Sequence, residues 1–440
     1  MNYNKFFQLA KEAGIEEAEL YISTSYALTV STFHGEIENY SVEDDSTYVA
    51  RGIVNGKFGA ATCDVYNAEK AKYLVEEILK NAQIIEKDDP AILFKGSEKY
   101  HKISTFNKDL AGVPVEEKIA KLFSIEKKVR EADPRIVEVQ GTEYSEAASS
   151  VTLMNSHGLK LTQKSNYFVY GSAALAQENG QVKSGWDVFL ENDFSKFNED
   201  ELVKNIVKKT VSQLGGEACE SGEYKCVFSP EATASLMRVY MGHIDSEEVQ
   251  KHSSLFIGKL NQRIASNKVT IEDRPLQRNV YARWFDDEGV ATYNKALVKN
   301  GILQTYLYNL TTASKEGVES TGNGYKKGSK MGVSASNLYL KPGKKSQEEL
   351  FQEIGDGVYI TSLQGLHAGM NPQSGNFSLQ SEGFLIKGGK IERGLDLVTV
   401  SGNLVQLFND IVEVGSDSKL LLGGTTSASI LVKKIMVGGK

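Results

Sequence analysis

The chain has 440 residues, of which 40% are hydrophobic and 24% charged, and its formal net charge at pH 7 is −7. These values are typical of a globular protein in water and exclude a general attraction to nucleic acid or to anionic membranes. The length exceeds what one hydrophobic core usually supports, so it predicts two domains.

The sequence favours a cytoplasmic protein without a membrane partner. No apolar run approaches the roughly 18 residues that cross a bilayer, and the first residues lack the apolar centre of a signal peptide. The three cysteines, Cys63, Cys219 and Cys226, are too few and too widely spaced for a disulfide framework or a CxxC zinc site. We therefore expect free thiols in a reducing compartment.

The first half of the chain alternates helical and strand patterns. The dipeptide Asn55-Gly56 predicts a tight hairpin turn between two β-prone runs. We expect an α+β domain in which helices cover an antiparallel sheet. The predicted helices are 2–13, 67–84, 114–132 and about 199–214, and the predicted strands are 19–33, a hairpin at 48–62, and two or three from 136 to about 188.

The stretch 215–222 is small, polar and rich in glycine, and the pattern of the chain changes after it. We place a domain boundary there, with an N-terminal mixed domain at 1–216 and a C-terminal domain at 223–440. The second domain begins with a helix predicted for 230–251 and is then mostly strand, so we expect a β-rich, barrel-like domain. Its predicted hairpins and strands are 296–309, 384–391, 397–400, 405–414 and 430–437, with one short helix after the capping box at 346–349.

The first helix of the second domain is the natural place to look for a catalytic metal. Ser229 suits its cap position and Pro230 its first turn. His243 and Glu247 are four residues apart, so a continuous helix presents both side chains on one face. His252 is nine residues beyond His243, on the opposite side of such a helix. Two ligands are fewer than the three that catalytic zinc requires, so we interpret His243 as a helix-end histidine near solvated acids.

An alternative stays open for this region. If the helix ends near Gln250 and the chain doubles back, His252 or the distant His367 could join His243 and Glu247 as a third ligand. His367 lies among small residues and fits either a buried imidazole or part of a groove. The sequence favours neither interpretation.

Other charged clusters are interpreted as solvated loops. The run Asp286–Glu288 could contribute to a cation site, but three adjacent acids before a glycine more often have their side chains in water. Lys326, Lys327 and Lys330 belong to a glycine-rich loop and are expected at a solvated tip. The chain has no GxSxG nucleophile sequence and no GxxxxGK[ST] phosphate loop.

Several segments together resemble the TldD/PmbA family, and the resemblance covers nearly the whole chain. In the first half it rests on ARGIVNGKFGAAT at 50–62. In the second half it rests on WFDDEGVAT at 284–292, KNGILQTYLYN at 299–309, STGNG at 320–324, GLHAGMNPQSGNFSLQSEGFLIKGGKI at 365–391 and SGNL at 401–404. Each segment is weak alone, but their order along the chain makes the resemblance specific.

The resemblance implies a cytoplasmic, two-domain protein that works in a dimeric proteolytic assembly. TldD-like subunits carry a helix with the pattern HExxxH and a later cysteine, which bind zinc, whereas TldE/PmbA-like subunits lack them. Aligned on Gly242-His243, this chain has Arg238 in place of the first histidine and Val239 in place of the glutamate. Arginine offers no lone pair to a metal, valine cannot act as a base, and no cysteine follows Cys226. The chain therefore resembles the TldE/PmbA branch.

From this resemblance we expect a non-catalytic partner subunit, with no catalytic residues and no metal of its own, in an assembly for peptide maturation and degradation. Zinc is expected in a TldD-like partner, and self-pairing is the alternative form of the dimer. Extended peptide is the expected substrate, bound at an exposed strand edge of the second domain.

Two other functions remain as alternatives. One is an active metallopeptidase built on His243, Glu247 and either His252 or His367. The other is a nucleic-acid or gyrase-binding factor, suggested by the older family label, modulator of DNA gyrase. The acidic charge argues against the second alternative, because binding to nucleic acid depends on basic groups.

Overall fold

A computed structural model describes residues 2–86, 89–327 and 330–440. The helices of its N-terminal half are α1 (Asn4–Glu12), α2 (Ala68–Ile84), α3 (Val115–Ala132) and α4 (Glu199–Val211). The strands of this half are β1 (Glu17–Phe33), β2 (Glu36–Val54), β3 (Lys57–Cys63), β4 (Ile136–Asn155), β5 (Lys160–Glu178) and β6 (Gln181–Glu191). The predicted helices and strands of this half are confirmed, although β2 begins at Glu36 rather than at Tyr48.

The six strands form one antiparallel sheet in the order β3-β2-β1-β4-β5-β6. The hairpin β2–β3 turns at Asn55 and Gly56, whose φ angles of 49° and 73° lie in the left-handed region that this dipeptide tolerates. β2 is 19 residues long, but it pairs with β3 only from Tyr48 to Val54. The predicted antiparallel sheet is confirmed, and part of β2 forms its edge.

The two faces of this sheet have different neighbours. On one face, Leu20 of β1 packs in a cluster with α1 and α2, and Tyr144 of β4 packs in a cluster with α3 and α4. On the other face, Tyr21 packs with Leu153 and with Trp284 from the C-terminal half. Because successive side chains of a strand point to opposite faces, β1 connects the helical layer with the second half of the chain.

The C-terminal half contains short helices and many strands. Its helices are α5 (Pro230–Gly242), α6 (Ser246–Gln250), α7 (Leu310–Glu316), α8 (Gln347–Ile354), α9 (Leu366–Gly369) and α10 (Leu404–Asn409). Its strands are β7 (Gly222–Phe228), β8 (Ile271–Asp273), β9 (Lys295–Lys299), β10 (Ile302–Leu303), β11 (Gly324–Lys327), β12 (Lys330–Val333), β13 (Leu338–Leu340), β14 (Gly357–Gln364), β15 (Asn376–Lys387), β16 (Lys390–Asn403), β17 (Ile411–Val414), β18 (Lys419–Leu421), β19 (Thr425–Ser427) and β20 (Ile430–Gly438).

Five of these strands close into a barrel. Their order is β16-β15-β14-β7-β20, and β20 pairs back with β16, while β17 is attached to β20. The closing register places Thr399 opposite Gly438 and Ser401 opposite Met436. Closure gives each strand of the ring a neighbour on both sides. The predicted barrel-like, β-rich half is confirmed.

A second six-stranded sheet packs beside the barrel in the order β10-β9-β8-β13-β19-β18. One hydrophobic cluster joins the two: it includes Phe228 of the barrel strand β7, Tyr240 of α5 and Leu297 of β9, and all three are fully buried. Helix α5 is therefore enclosed between the barrel and the second sheet.

The prediction of one strand at 405–414 is wrong, because helix α10 precedes strand β17 there. Asn403 caps this helix by accepting hydrogen bonds from the amides of Val405 and Gln406, and Phe408 is buried on its inner side. Further short helices, α7 and α9, also interrupt the strands. The single short helix that was predicted, α8, has its capping box between Ser346 and Glu349.

The stretch 215–222 lies between α4 and β7, and the division into domains at 1–216 and 223–440 stays a prediction. Among the described residues, no helix combines the length and the apolar composition that crossing a bilayer requires. Cys63, Cys219 and Cys226 are buried free thiols.

Candidate functional site

Helix α5 begins where the sequence predicts. The Ser229 hydroxyl accepts a hydrogen bond from the Ala232 amide at 3.1 Å, which satisfies one of the free donors of the first turn. Tyr240 anchors the other end: its ring stacks on Phe408 with centroids 4.0 Å apart, and its hydroxyl donates to the Ile264 carbonyl. The end of the helix is therefore packed against α10.

The continuous helix predicted for 230–251 is wrong. Helix α5 ends at Gly242, and Asp245 caps a separate short helix, α6. Between them the backbone pairs with a distant segment: Ser246 N–H donates to the Leu307 carbonyl at 3.1 Å, and Leu307 N–H donates to the Ile244 carbonyl at 2.9 Å. These bonds replace those that a continuous helix would make within itself.

His243 is the residue that follows α5, and it is 6% exposed. Its Nδ1 accepts a hydrogen bond from the Leu255 amide at 3.4 Å, its carbonyl accepts one from the Ser254 hydroxyl, and its ring lies edge-on to Phe256. Its Nε2 is buried without a hydrogen-bond partner among the described residues. Burial lowers the pKa of His243, and the Glu248 carboxylate offsets only part of this effect, so the imidazole is neutral at pH 7.

The other residues of the alternative metal set lie apart from this imidazole. Glu247 is half-exposed and pairs with Lys251 at 2.6 Å. His252 is exposed, in a left-handed backbone conformation with φ 59°, and His367 is exposed in α9. Within residues 2–86, 89–327 and 330–440, no three His, Cys, Asp or Glu side chains are grouped as metal ligands would be.

A cavity of about 350 Å³ adjoins α5 and α6. Its charged lining consists of Arg238, Asp245, Glu248 and Lys327. The Lys327 ammonium is 3.6 Å from the Asp245 carboxylate, and the Arg238 guanidinium donates to the Leu422 carbonyl at 3.2 Å. Burial raises the pKa of Asp245 to about 6. The remaining lining residues are Met241, Gly242, Leu307, 333–336, Leu338 and 423–425.

The acidic run Asp286–Glu288 is buried, so its interpretation as a solvated loop is wrong. Asp286 is fully buried, and Asp287 and Glu288 are each 4% exposed. The Asp286 carboxylate accepts hydrogen bonds from the amides of Glu288, Val290 and Gly324 at 2.9–3.0 Å. Burial and the neighbouring Glu288 carboxylate raise the pKa of Asp286 well above its ordinary value. The run thus forms a turn that is fixed to strand β11.

Asp287 contacts both halves of the chain. Its carboxylate accepts hydrogen bonds from the Tyr21 hydroxyl at 2.8 Å, from the Arg283 guanidinium at 2.6 Å and from the Lys326 amide at 2.8 Å. Burial alone would raise the pKa of Asp287, but Arg283 and these hydrogen bonds lower it below its ordinary value. Asp287 is therefore a charged acceptor between β1 and β11.

Lys326 is half-buried and its ammonium is enclosed, so the expectation of a solvated tip is wrong for it, whereas Lys327 and Lys330 are exposed as expected. The Lys326 ammonium lies 3.2 Å from the centroid of the Tyr21 ring and has no hydrogen-bond partner among the described residues. Burial and the charge of Arg51 lower the pKa of Lys326 to about 8. Because side chains alternate along β11, Lys326 faces the sheet while Lys327 faces the cavity.

Glu288 and an ion pair of the N-terminal sheet lie beside Asp286, Asp287 and Lys326. Arg51 of β2 donates to Glu19 of β1 from Nε at 2.9 Å and from Nη2. Glu288 accepts a hydrogen bond from the Leu310 amide, at the start of α7, at 2.8 Å. Burial raises the pKa of Glu288 to about 7, although the Leu310 amide and Arg51 oppose this effect. We call the following residues the junction cluster: Glu19, Tyr21, Arg51, Arg283, Asp286, Asp287, Glu288 and Lys326.

The sequence analysis missed the junction cluster, although one signal for it was present. Glu19 and Arg51 each interrupt a β-prone run, at EAELYI and YVARGIV. A charge inside an otherwise apolar strand usually has a buried partner. That signal indicates a buried ion pair, but it does not reveal the distant loop that covers the pair.

Family models match most of the chain. The model described as the PmbA/TldA metallopeptidase C-terminal domain matches residues 221–439. The models described as the central domain and domain 1 of the same metallopeptidases match residues 108–214 and 18–82.

Curated relatives are similar over nearly their full lengths. The metalloprotease PmbA of Escherichia coli O157:H7 is 24% identical over 428 residues, which cover 96% of this chain and 92% of that protein. A metalloprotease of Methanocaldococcus jannaschii is 25% identical over 421 residues, covering 92% of this chain and 91% of the relative.

Solved structures share the fold. A candidate modulator of a DNA gyrase from Thermotoga maritima superposes with a TM-score of 0.92 at 31% identity, covering 99% of both chains. TldE from Thermococcus kodakarensis superposes with a TM-score of 0.92 at 23% identity and the same coverage, a level of identity that supports the shared fold alone.

Proposed function

Because the chain belongs to the PmbA/TldD metallopeptidase family, we propose that it is a non-catalytic subunit that pairs with a zinc-bearing, TldD-type subunit in the cytoplasm. The pair acts on extended peptides. The observation that carries the proposal is the sequence of α5. Arg238 and Val239 occupy the positions that the family resemblance assigns to a histidine and a glutamate.

The residues present at α5 do not fit a catalytic zinc ion. The Arg238 side chain donates to the Leu422 carbonyl and cannot donate an electron pair to a metal. Val239 packs against the hydrophobic cluster of the barrel. His243 keeps one unpartnered nitrogen, but a single imidazole is two ligands short of a catalytic site. We therefore propose no catalytic step on this chain.

The cavity beside α5 supports a role in holding peptide. It lies next to α5, the helix whose counterpart in TldD-like subunits carries the metal pattern. Its lining has charges of both signs, namely Arg238, Lys327, Asp245 and Glu248. A site that binds an extended peptide through its main chain shows little preference for the peptide's sequence. The subunit would then shape the chamber in which the partner's zinc cleaves the peptide.

An active metallopeptidase is the second candidate function, and the buried, unpartnered Nε2 of His243 is the observation that favours it. The fold would have to rearrange to bring Glu247 and either His252 or His367 to that nitrogen. Metal content and hydrolysis distinguish the two functions.

The test compares this chain alone with the chain mixed with a TldD-type subunit from the same genome. Zinc per chain is measured by mass spectrometry after dialysis without chelator, pairing by light scattering, and hydrolysis on an unstructured peptide. We expect close to zero zinc on the lone chain and hydrolysis only in the mixture. His243→Gln in this chain should leave that hydrolysis unchanged.

The substitution His101→Gln, at an exposed histidine away from α5, controls for loss of an imidazole elsewhere in the chain. If the lone chain holds about one zinc that His243→Gln removes and His101→Gln does not, the non-catalytic proposal is wrong. Failure of the two chains to pair at micromolar concentration would contradict the partner role.

A further inference from the structure

The outer part of β2, residues 36–47, is an unpaired sheet edge. It pairs with β1 on one side, from Glu36 opposite Phe33 to Thr47 opposite Ser23. On its other side β3 begins to pair only at Tyr48, and no other described strand reaches these residues. A strand edge of this length presents a row of free backbone donors and acceptors, which proteins usually cover or shorten.

An apolar strip runs along the same segment. Ile37, Tyr40 and Val42 are 47%, 52% and 52% exposed. Val42 lies opposite Leu28, and Tyr40 lies opposite Val30, so these side chains share the sheet face that α3 covers farther in. Helix α3 reaches Leu28 and Val30 but leaves the edge strand uncovered. The sheet face that α3 buries at Leu28 and Val30 thus continues onto β2, where it is exposed.

The segment is also strongly acidic. It contains five carboxylates and no lysine or arginine, and Arg51 is the first basic residue after it. No described lysine or arginine forms an ion pair with any of them. The five residues are Glu36, Glu38, Glu43, Asp44 and Asp45.

The tip of the hairpin is held in place. His34 and Gly35 form the turn with φ angles of 53° and 76°. The Gly35 amide donates to Glu126 of α3 at 2.9 Å, and the His34 ring nitrogen is 3.4 Å from Glu138 of β4. The edge is therefore preorganised, which lowers the entropy cost of adding a strand to it.

We propose that residues 36–47 dock a strand of the partner subunit, one that carries lysine or arginine together with alternating apolar side chains. This inference rests on the partner role proposed above and assigns the surface that performs it. Backbone hydrogen bonds would extend the sheet, the basic side chains would pair with the five carboxylates, and the apolar ones would cover Ile37, Tyr40 and Val42.

The charge of the segment argues against a second copy of this chain as the occupant. Antiparallel pairing of two copies along the whole segment would place Glu38 opposite Asp45 at both ends and would bring the carboxylates of both copies together without a basic group between them, which destabilises a ladder. The shape argues against a free peptide. The edge and the apolar strip face different directions, so covering both needs a folded body beneath the added strand and an interface above about 1,000 Å².

The test uses the complex of this chain with the TldD-type subunit. Hydrogen exchange of the amides in 36–47 is followed by mass spectrometry in the lone chain and in the complex. Pairing affinity is measured for Glu43→Lys/Asp45→Lys, in which both substituted side chains are exposed, and the melting temperature verifies folding. The control, Glu98→Lys/Glu319→Lys, changes the net charge equally at exposed sites away from the edge.

We expect protection of 36–47 in the complex, and pairing weakened at least about tenfold by the edge variant but not by the control. Pairing that leaves 36–47 unprotected overturns this inference while the partner role stands. Absence of pairing overturns both. Protection of 36–47 in a homodimer of the lone chain, or by a free lysine-rich peptide added to the lone chain, shows another occupant and overturns the inference as well.

Discussion

The Tyr21 hydroxyl donates a hydrogen bond to the Asp287 carboxylate across 2.8 Å, joining the first strand of the chain to a loop 266 residues later. The same carboxylate accepts from Arg283 and from the Lys326 amide. One buried anion thus joins the sheet of the N-terminal half to strand β11 of the C-terminal half, beside the contact of the Lys326 ammonium with the Tyr21 ring.

Removing that anion should destabilise the protein strongly. Asp287→Ala removes the charged acceptor of the half-buried Arg283 guanidinium and of the Tyr21 hydroxyl, and we expect a loss of about 2–3 kcal/mol in the free energy of unfolding. Tyr21→Phe removes one hydrogen bond and should cost about 1 kcal/mol. Urea denaturation of the two variants measures the difference.

The exposed substitution Glu98→Ala serves as the control and should change the unfolding free energy by less than about 0.5 kcal/mol. Equal losses for Asp287→Ala and Tyr21→Phe would contradict the central position of the carboxylate.

Glu288 makes stability depend on pH. Its ordinary pKa of 4.5 rises to about 7 in the folded chain. Below pH 4.5 the Glu288 carboxyl is protonated in both the folded and the unfolded chain, and its contribution to stability is fully present. Between pH 4.5 and 7 only the folded chain keeps this proton. The free energy of unfolding therefore falls as pH rises, by about 1 kcal/mol per pH unit. Glu288→Gln should flatten this decline in urea denaturation from pH 5 to 7.

Asp245 and Asp286, whose pKa values are also raised, add to the decline with the same sign. The free energy of unfolding of the wild type is therefore compared with that of Glu288→Gln at each pH. Glu98→Gln should leave the wild-type slope unchanged, and an unchanged slope in Glu288→Gln would refute the assignment.

His243 should titrate below its ordinary pKa of about 6.5. Because burial lowers the folded pKa, the unfolded chain takes up this proton first as pH falls. Its contribution to stability is present above pH 6.5 and is lost below it, opposite in sign to that of Glu288. NMR of the imidazole carbon-bound protons measures the midpoint, and a value at or above 6.5 would contradict the buried neutral ring.

Gly59 of β3 lies against helix α2. A Cβ at this position would overlap the carbonyl oxygen of Ile78, which is backbone and cannot rotate away. Gly59→Ala should therefore cost about 1–3 kcal/mol in thermal or urea unfolding. Gly112→Ala is the matched control, since a Cβ there meets no atom within 4 Å. Equal effects of the two substitutions would show that helix and strand can separate at little cost.

Local signals explain the elements that the sequence predicts correctly. Asn67, Ser229 and Ser346 each accept a hydrogen bond from the first turn of the helix that follows them, and Asn55-Gly56 adopts its hairpin turn. Each of these structures is determined by residues within about four positions, so a single sequence contains the information.

The failures come from distant partners. The helix predicted for 230–251 breaks because Leu307 pairs with the backbone at 244–246. The carboxylates of Asp286–Glu288 and the Lys326 ammonium are buried because β1 and β2 lie over them. No local pattern records contacts of this kind. The edge at 36–47 was missed because its acidic composition is unlike that of an average strand.

The closed barrel sets an order of events during synthesis. Strand β20 lies between β7, the first strand of the C-terminal half, and β16, and it also carries β17. Until residues 430–438 have left the ribosome, β7, β16 and β17 have exposed edges and the core around α5 is open. The N-terminal sheet can fold earlier, since its strands end at Glu191. A nascent chain can therefore have a complete N-terminal sheet while its barrel is still open.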